Sequence, residues 1–111
     1  MGRTAHSVRS GRGNKEATER SKICAVEQFS HVLAKELGPK KNTVNVVSPG
    51  PTDTELFSQG KSEDQKQRFA QMAALGRLGQ PQDIADVVAL LASDDSRWIT
   101  GQNIRANGGL I

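Results

Sequence analysis

The chain has 111 residues, of which 35% are hydrophobic, and it carries a formal net charge of +3. This length fits one domain with a modest core. The single cysteine, Cys24, excludes an internal disulfide and is typical of a reducing compartment. No run of residues is long and apolar enough to cross a bilayer, so we do not expect a membrane partner.

Residues 1–17 form a segment rich in Gly, Ser, Arg and Asn, with few side chains that can pack. This composition predicts a flexible, disordered basic tail, followed by one domain over residues 18–111. The Gly-x-Gly at Gly11 and Gly13 has no preceding strand, so we interpret it as linker and not as a phosphate-binding loop. Much of the positive charge lies at this end, in Arg3, Arg9, Arg12, Lys15, Arg20 and Lys22.

The basic tail also bears on location and on partners. It lacks the apolar centre of a secretory signal, which favours the cytoplasm. Its Arg and Ser content leaves organelle targeting open as an alternative. The basic residues have no aromatic side chains between them, so we do not expect nucleic acid as a partner.

Residues 18–37 predict the first helix. Its apolar side chains recur every three or four positions, at Ile23, Val26, Phe29, Leu33 and Leu37. Thr18 is placed to cap the start of the helix. Gly38 followed by Pro39 predicts its end.

Residues 43–48 contain three valines and predict the first strand. Pro49 lacks a backbone N–H, so the strand should end just before it. In open parallel sheets, ligands bind beyond the carboxyl ends of the strands. Thr52 and Thr54 are therefore candidate ligand contacts.

Two further helices and a second strand follow. Ser62 and Gln65 match a capping box, which predicts a short helix up to about residue 74. A proline suited to a first helical turn predicts another helix over residues 81–93, and residues 103–106 predict the second strand. The side chains expected to point inward are Phe69, Met72, Ala73, Ile84, Val87, Val88 and Leu91. Because a connection that contains helices joins the two strands, they should be parallel.

Three stretches of the chain resemble the short-chain dehydrogenase/reductase family, and in particular its 3-oxoacyl-reductase-like branch. They are Pro-Gly-Pro-Thr-Asp-Thr (49–54), Gly-Arg-Leu-Gly-Gln-Pro-Gln-Asp-Ile-Ala (76–85) and Ile-Thr-Gly-Gln-Asn-Ile-Arg-Ala-Asn-Gly-Gly (99–109). The resemblance covers roughly residues 21–111. It implies an α/β fold: a partial Rossmann-like doubly wound sheet with two parallel strands and about three helices, equivalent to the carboxyl-terminal half of the family domain.

The resemblance implies an NAD(P)-dependent oxidoreductase that interconverts a carbonyl and a hydroxyl group. The family uses a Tyr that protonates the carbonyl oxygen and a Lys four residues later. Lys22 fits that Lys and is the candidate catalytic residue, whereas Thr18 stands at the Tyr position. The sequence contains no Tyr, and a Thr hydroxyl is a far poorer acid. The family's Ser, Asn and Gly-rich loop have no counterpart here, so we expect a truncated form that is inactive alone.

The resemblance also implies cofactor-binding roles for Lys22, Pro51, Thr52 and Thr54. Lys22 would contact the nicotinamide ribose, and the other three residues would contact the carboxamide. We expect NADP or NAD, and the sequence leaves that choice open. The alternatives are a solvated helix lysine at Lys22 and turn hydroxyls bonded to local backbone at Thr52 and Thr54. No metal site is expected, because metal-ligand spacing is absent around His6, His31 and Cys24.

A second hypothesis is a non-catalytic interaction module. Family members associate through the first helix and through the last helix and strand, and the chain contains both. The outer edge of the first strand lacks a neighbour and can pair with another chain. We therefore expect a homo-oligomer or association with full-length relatives. A partial gene product without a function of its own is a further alternative, and the resemblance implies that residues 57–75 form a mobile segment over the substrate.

Overall fold

The computed structural model describes residues 10–110, which contain four α-helices and two strands, with three of the helices between the strands. They are α1 Ser10–Leu37, β1 Val46–Pro49, α2 Glu55–Ser58, α3 Glu63–Met72, α4 Pro81–Leu91 and β2 Asn103–Ala106. Short 3-10 turns at Gly38–Lys40 and Asp94–Ser96 follow α1 and α4. Among these residues, no helix has the length and apolar character that a membrane span requires.

Helix α1 begins at Ser10, so the predicted start at Thr18 is wrong. Extending an existing helix gains one hydrogen bond for each residue fixed, whereas nucleation is the costly step. Lys-Glu-Ala at residues 15–17 are good helix formers and favour this extension. The helix therefore occupies the second part of the predicted tail, and residues 1–9 of that tail lie outside the described residues.

The strands β1 and β2 form a parallel two-stranded sheet, which confirms the predicted crossover. Val46 lies opposite Asn103 in the register. The Val46 N–H donates to the Gln102 carbonyl at 2.8 Å, and the Gly50 N–H donates to the Ala106 carbonyl at 3.0 Å. Because the strands are parallel, both of their carboxyl ends lie at the same edge of the sheet.

Strand β1 begins and ends later than predicted. Val44, predicted to lie in the strand, forms hydrogen bonds with the turn before β2. Its N–H donates to Thr100 Oγ1 at 3.0 Å, and its carbonyl accepts from the Gly101 N–H at 2.7 Å. Backbone groups of alternate residues point to opposite sides of a strand, and those of Val46 point to β2. The nitrogen of Pro49 therefore points away from β2, and the proline is tolerated as the last strand residue.

Side-chain caps begin the helices that connect the strands. Thr54 starts α2, a single turn that sequence analysis did not predict, by accepting a hydrogen bond from the Phe57 N–H at 3.2 Å. Ser62 and Gln65 form the predicted capping box at the start of α3. Pro81 begins α4 as predicted. Local signals in the sequence thus predicted two of these three helix starts, and the Thr54 cap that begins α2 was missed.

The buried core is small. Among residues 18–110, the buried side chains are those of Ser30, Ala34, Ala70, Ala73 and Ser96. Many large apolar side chains of the described residues are at least half exposed, among them Ile23, Val26, Phe29, Val32, Met72 and Val88. Met72 and Val88 were predicted to point inward, and these predictions are wrong. The two strands found in residues 10–110 give the helices too little neighbouring surface to cover all of their apolar side chains.

Candidate functional site

The loops that follow β1 and β2 meet at the carboxyl edge of the sheet. A Cβ placed on Gly50 would stand 2.7 Å from the Cβ of Asn107. Carbon atoms do not approach so closely, so this contact requires glycine. Asn107 is itself fixed, since its side-chain amide donates to the Leu110 carbonyl and its Oδ1 accepts from the Gly109 N–H at 3.1 Å. The two loops therefore form one continuous surface.

Backbone hydrogen bonds hold the loop after β1 against the segment that precedes α4. The Asp53 N–H donates to the Gly79 carbonyl at 2.8 Å, and the Gly79 N–H donates to the Pro51 carbonyl at 3.0 Å. Thr52 Oγ1 donates to the Gly50 carbonyl at 2.9 Å. The Thr52 N–H has no acceptor among the described residues. The loop therefore presents a backbone donor at the strand end.

Thr54 and Asp53 both make local contacts. Thr54 Oγ1 accepts from the Phe57 N–H, as the turn-hydroxyl alternative predicts, and its hydroxyl hydrogen is not used in that bond. Asp53 Oδ1 accepts from Ser58 Oγ at 3.0 Å and lies 3.9 Å from Lys66 Nζ. The Asp53 carboxylate thus closes the turn and is not placed as an acid or base.

Lys22 lies on α1, apart from the loop after β1. Its Nζ contacts Glu19 Oε1 at 3.1 Å, and its side chain is 66% exposed. Within residues 10–110 it forms no hydrogen bond or ion pair to Pro51, Thr52 or Thr54. The structure therefore brings three of the predicted site residues together in one loop and leaves the fourth separate.

The direction of α1 nevertheless places Lys22 towards the carboxyl edge. Glu27 contacts Asn103 in β2, whereas His31, further along the helix, lies against Gly101 before β2. Higher numbers on the helix thus match lower numbers on the strand, so α1 is antiparallel to β2. Lys22 precedes Glu27 by about 7.5 Å along the helix axis. It therefore lies beyond the sheet centre, on the side where both strands end.

A polar chain links α1 to both strands and was missed in the sequence. Ser48 Oγ donates to Asn103 Oδ1 at 2.7 Å, and Asn103 Nδ2 donates to Glu27 Oε1. The members are partly buried, so each depends on its partners for hydrogen bonding. Positions 27 and 103 are far apart in the chain, and no periodic or local signal connects them.

A second missed contact lies at the start of α4. Arg77 donates from Nη1 to Asp83 Oδ2 at 2.7 Å and from Nη2 to Asp83 Oδ1 at 3.1 Å. The Gln80 N–H also donates to Asp83 Oδ2, at 2.7 Å. These contacts, first the Arg77 side chain and then the Gln80 amide, lower the pKa of Asp83 to about 2. The hydrogen bond to the Asp83 carboxylate in turn raises the pKa of Arg77.

A cavity of about 230 Å³ lies between α4 and the residues that follow β2. Of the predicted site residues, Pro51 lines it. Its other walls include Leu75, Ile84, Val87, Ala106 and Gly108. This volume is below the range of about 300–1,000 Å³ that is usual for ligand pockets. The cavity alone is too small for a dinucleotide.

The segment from α2 to α3 contains a small aromatic cluster. The rings of Phe57 and Phe69 stand edge to face with centroids 5.3 Å apart. The ammonium of Lys61 lies 4.3 Å from the Phe57 ring centre, and it donates to the Phe57 carbonyl at 2.7 Å. These contacts join α2 to α3. This is the segment for which the resemblance implies mobility, and its motion stays a prediction.

The chemistry available at this edge is that of binding. It offers the Thr52 N–H and hydroxyl groups, and the nearby carboxylates of Asp53 and Asp83 already accept hydrogen bonds. No group of His, Cys, Asp and Glu able to hold a metal ion is found in the described part of the chain. Within residues 10–110, this edge therefore holds groups that can orient a polar ligand.

Comparisons with known proteins fit this geometry. The model of the family described as "Enoyl-(Acyl carrier protein) reductase" matches residues 4–111. NADPH-dependent aldehyde reductase 2, chloroplastic, of Arabidopsis thaliana is 48% identical over 87 residues, which are 78% of this chain and 32% of that protein. The 3-oxoacyl-[acyl-carrier-protein] reductase FabG of Escherichia coli is 43% identical over 82 residues, covering 74% of this chain and 33% of its own length.

Solved structures of reductases also superpose on this chain over part of their length. A 3-oxoacyl-[acyl-carrier protein] reductase from Brucella melitensis superposes with a TM-score of 0.74 at 35% identity, over 85% of this chain and 34% of that one. The angucycline C-6 ketoreductase LanV, solved with bound NADP, gives a TM-score of 0.67 at 42% identity, over 78% of this chain and 33% of that one. The chain thus spans about a third of the length of these relatives.

Proposed function

The chain belongs to the short-chain dehydrogenase/reductase family, and we propose that it forms the nicotinamide end of an NAD(P) site in an oxidoreductase of carbonyl or hydroxyl substrates. We further propose that it is a truncated form of such an enzyme and does not turn over alone. The expectation of NAD(P) is supported by relatives named as NADPH-dependent or solved with NADP.

The loop after β1 is the observation that carries this proposal. It stands at the carboxyl edge, it is held by the paired backbone of Asp53 and Gly79, and the Thr52 N–H lacks an acceptor among the described residues. A carboxamide has both a carbonyl acceptor and an amide donor. The Thr52 N–H and the Thr54 hydroxyl are a suitable pair for it.

Lys22 is proposed to bind the ribose hydroxyls of the same nucleotide. Its exposed ammonium has two donors beyond the one that contacts Glu19. The bound cofactor would supply or accept a hydride at the substrate carbon. The residues of this chain would orient the nicotinamide ring for that transfer.

A missing acid is the reason for proposing that the chain is inactive alone. Reduction of a carbonyl needs a proton donor at the oxygen, and the sequence contains no Tyr. The Thr18 hydroxyl has too high a pKa for this role near neutral pH. Another polypeptide segment would have to provide the acid and the pyrophosphate loop.

Matched nucleotide fragments test this proposal. We would record amide spectra of the chain during titration with reduced nicotinamide mononucleotide and, separately, with ADP. We expect shifts at the Thr52 and Thr54 amides with the first compound and none there with the second. Equal shifts with both, or none with either for a folded chain, would overturn the proposed nicotinamide end.

A second candidate function is the non-catalytic interaction module. Its support is the set of large apolar side chains that are at least half exposed, including Phe29 at 64% and Trp98 at 96%. Such surfaces on a small protein commonly mark contacts with another protein. The test is to mix the chain with an intact 3-oxoacyl reductase. Lost activity together with a mixed species supports it, and unchanged activity without a mixed species contradicts it.

A further inference from the structure

Strand β1 has one paired edge and one open edge in the described part of the chain. The N–H groups of Val46 and Gly50 point to β2, as their hydrogen bonds show. By the alternation of a strand, the backbone groups of Asn45 and Val47 point the other way. An open edge of this kind is a template for a further strand.

The exposed apolar face of α1 lies on the same side as this open edge. Ser30 is buried against the sheet, and Glu27 and His31 contact residues of or before β2. At 100° per residue, Val26 and Phe29 lie on the opposite side of Ser30 from Glu27 and His31. They are 50% and 64% exposed. The helix thus presents an apolar stripe above the open edge of β1.

A single two-fold axis can bring together both the open edges of β1 and the apolar stripes of α1 from two copies of the chain. Val46 lies opposite Asn103, and Asn103 contacts Glu27 on α1. Val46 and the stretch of α1 around Glu27 are therefore at the same height on the sheet. An axis perpendicular to the sheet, at the height of Val46 and just outside the open edge of β1, passes beside the apolar stripe of α1.

We propose that two copies of this chain pair through β1, antiparallel and centred on Val46. In this register Val46 faces its own copy, Asn45 faces Val47 of the second copy, and the outward backbone groups form the hydrogen bonds. Pro49 faces Thr43 and ends the ladder, because it has no N–H to donate. The interface is isologous and closes after two copies. The proposal rests on the second candidate function and names its partner.

The charges of the chain fit this pairing. No charged side chain lies between Thr43 and Thr52, so no like charges face each other across the strands. The axis beside Val46 lies at the height of Glu27, so two antiparallel copies of α1 meet along the stretch that contains Val26 and Phe29. Apolar side chains of both helices thus lie beside the paired strands, at the centre of the interface.

Disulfide trapping tests the register, in a chain carrying Cys24→Ser. Across the axis, position 46 lies about 4.5 Å from its copy between Cα atoms, within the range for a disulfide. Position 44, on the same face of the strand, lies about 14 Å from its copy. Under mild oxidation we expect a cross-linked dimer for Val46→Cys and none for the matched control Val44→Cys.

The mass of the unmodified chain, measured by light scattering across a concentration series, is the companion measurement. A dimer that forms with concentration, together with selective trapping at position 46, supports the proposal. A dimer that traps equally at both positions, or at neither, overturns the register and leaves self-association standing. A monomer throughout overturns the proposal. If mixing the chain with an intact relative still lowered the activity of that relative, the interaction module would stand, with the relative and not a second copy as its partner.

Discussion

Arg77 and Asp83 form a two-point contact in which each guanidinium nitrogen meets one carboxylate oxygen, at 2.7 and 3.1 Å. Asp83 also accepts from the Gln80 N–H and so closes the first turn of α4. The pair joins the segment that supports the loop after β1 to the helix that follows it. Gly79, whose backbone pairs with Pro51 and Asp53, lies between the two partners of this contact in the sequence.

The first prediction concerns the pH dependence of this contact. The pKa of Asp83 is lowered to about 2 in the folded chain, from an ordinary value of 3.8. A lowered pKa means that the ionised form stabilises the fold above pH 4 and that this contribution is lost as the pH falls towards 2. Urea unfolding at several pH values should show this loss in the unmodified chain and not in Asp83→Asn.

The control for that series is Asp64→Asn, which removes an exposed carboxylate on α3. Its stability should keep the pH dependence of the unmodified chain. The contact is on the surface, so the expected difference is small. Parallel pH curves for the unmodified chain and Asp83→Asn would contradict the assigned role of the pair.

The second prediction concerns the polar chain from Ser48 through Asn103 to Glu27. Replacing Asn103 by Ala leaves the Ser48 hydroxyl and the Glu27 carboxylate without their partner in a partly buried place. We expect a loss of about 1–3 kcal/mol in the free energy of unfolding. Gln102→Ala, at the neighbouring exposed position, is the control and should cost much less. Similar losses for both variants would count against the network.

The third prediction concerns the approach of the two loops at the carboxyl edge. Gly50→Ala places a methyl group 2.7 Å from the Cβ of Asn107, so one loop must move. We expect a loss of about 1–3 kcal/mol, the usual cost of overpacking. Gly38→Ala is the matched control, because a Cβ there meets nothing within 4 Å. Chemical denaturation of both variants makes the comparison, and equal stabilities would refute the contact.

Much of the fold follows from local signals in the sequence. The capping box at Ser62, the proline at Pro81 and the strand Asn103–Ala106 were predicted as the structure has them. Each depends on neighbouring residues only. The predicted start of α1 was wrong because helix extension is cooperative. A weakly patterned segment next to a well-patterned helix can therefore become helical as well. Burial was overestimated because the pattern shows which face is apolar, without showing whether anything covers it.

The candidate site was less predictable than the fold. The loop residues Pro51, Thr52 and Thr54 are contiguous, so their proximity follows from the sequence. The contact between Glu27 and Asn103 joins distant parts of the chain and depends on how α1 packs on the sheet. Arg77 and Asp83 belong to a stretch that was recognised, but their six-residue spacing spans a turn and a helix start. Such pairs require the folded backbone.

A fluorescence titration of NADPH and NADH with the purified chain tests the central claim most directly. It should include Lys22→Ala and, as the matched control, Lys35→Ala, which removes another exposed lysine from α1. We predict saturable enhancement with the unmodified chain, weakened by Lys22→Ala and unchanged by Lys35→Ala. A flat titration with folded protein, or equal behaviour of the two variants, would contradict the proposal that Lys22 and the loop after β1 form the nicotinamide end of a cofactor site.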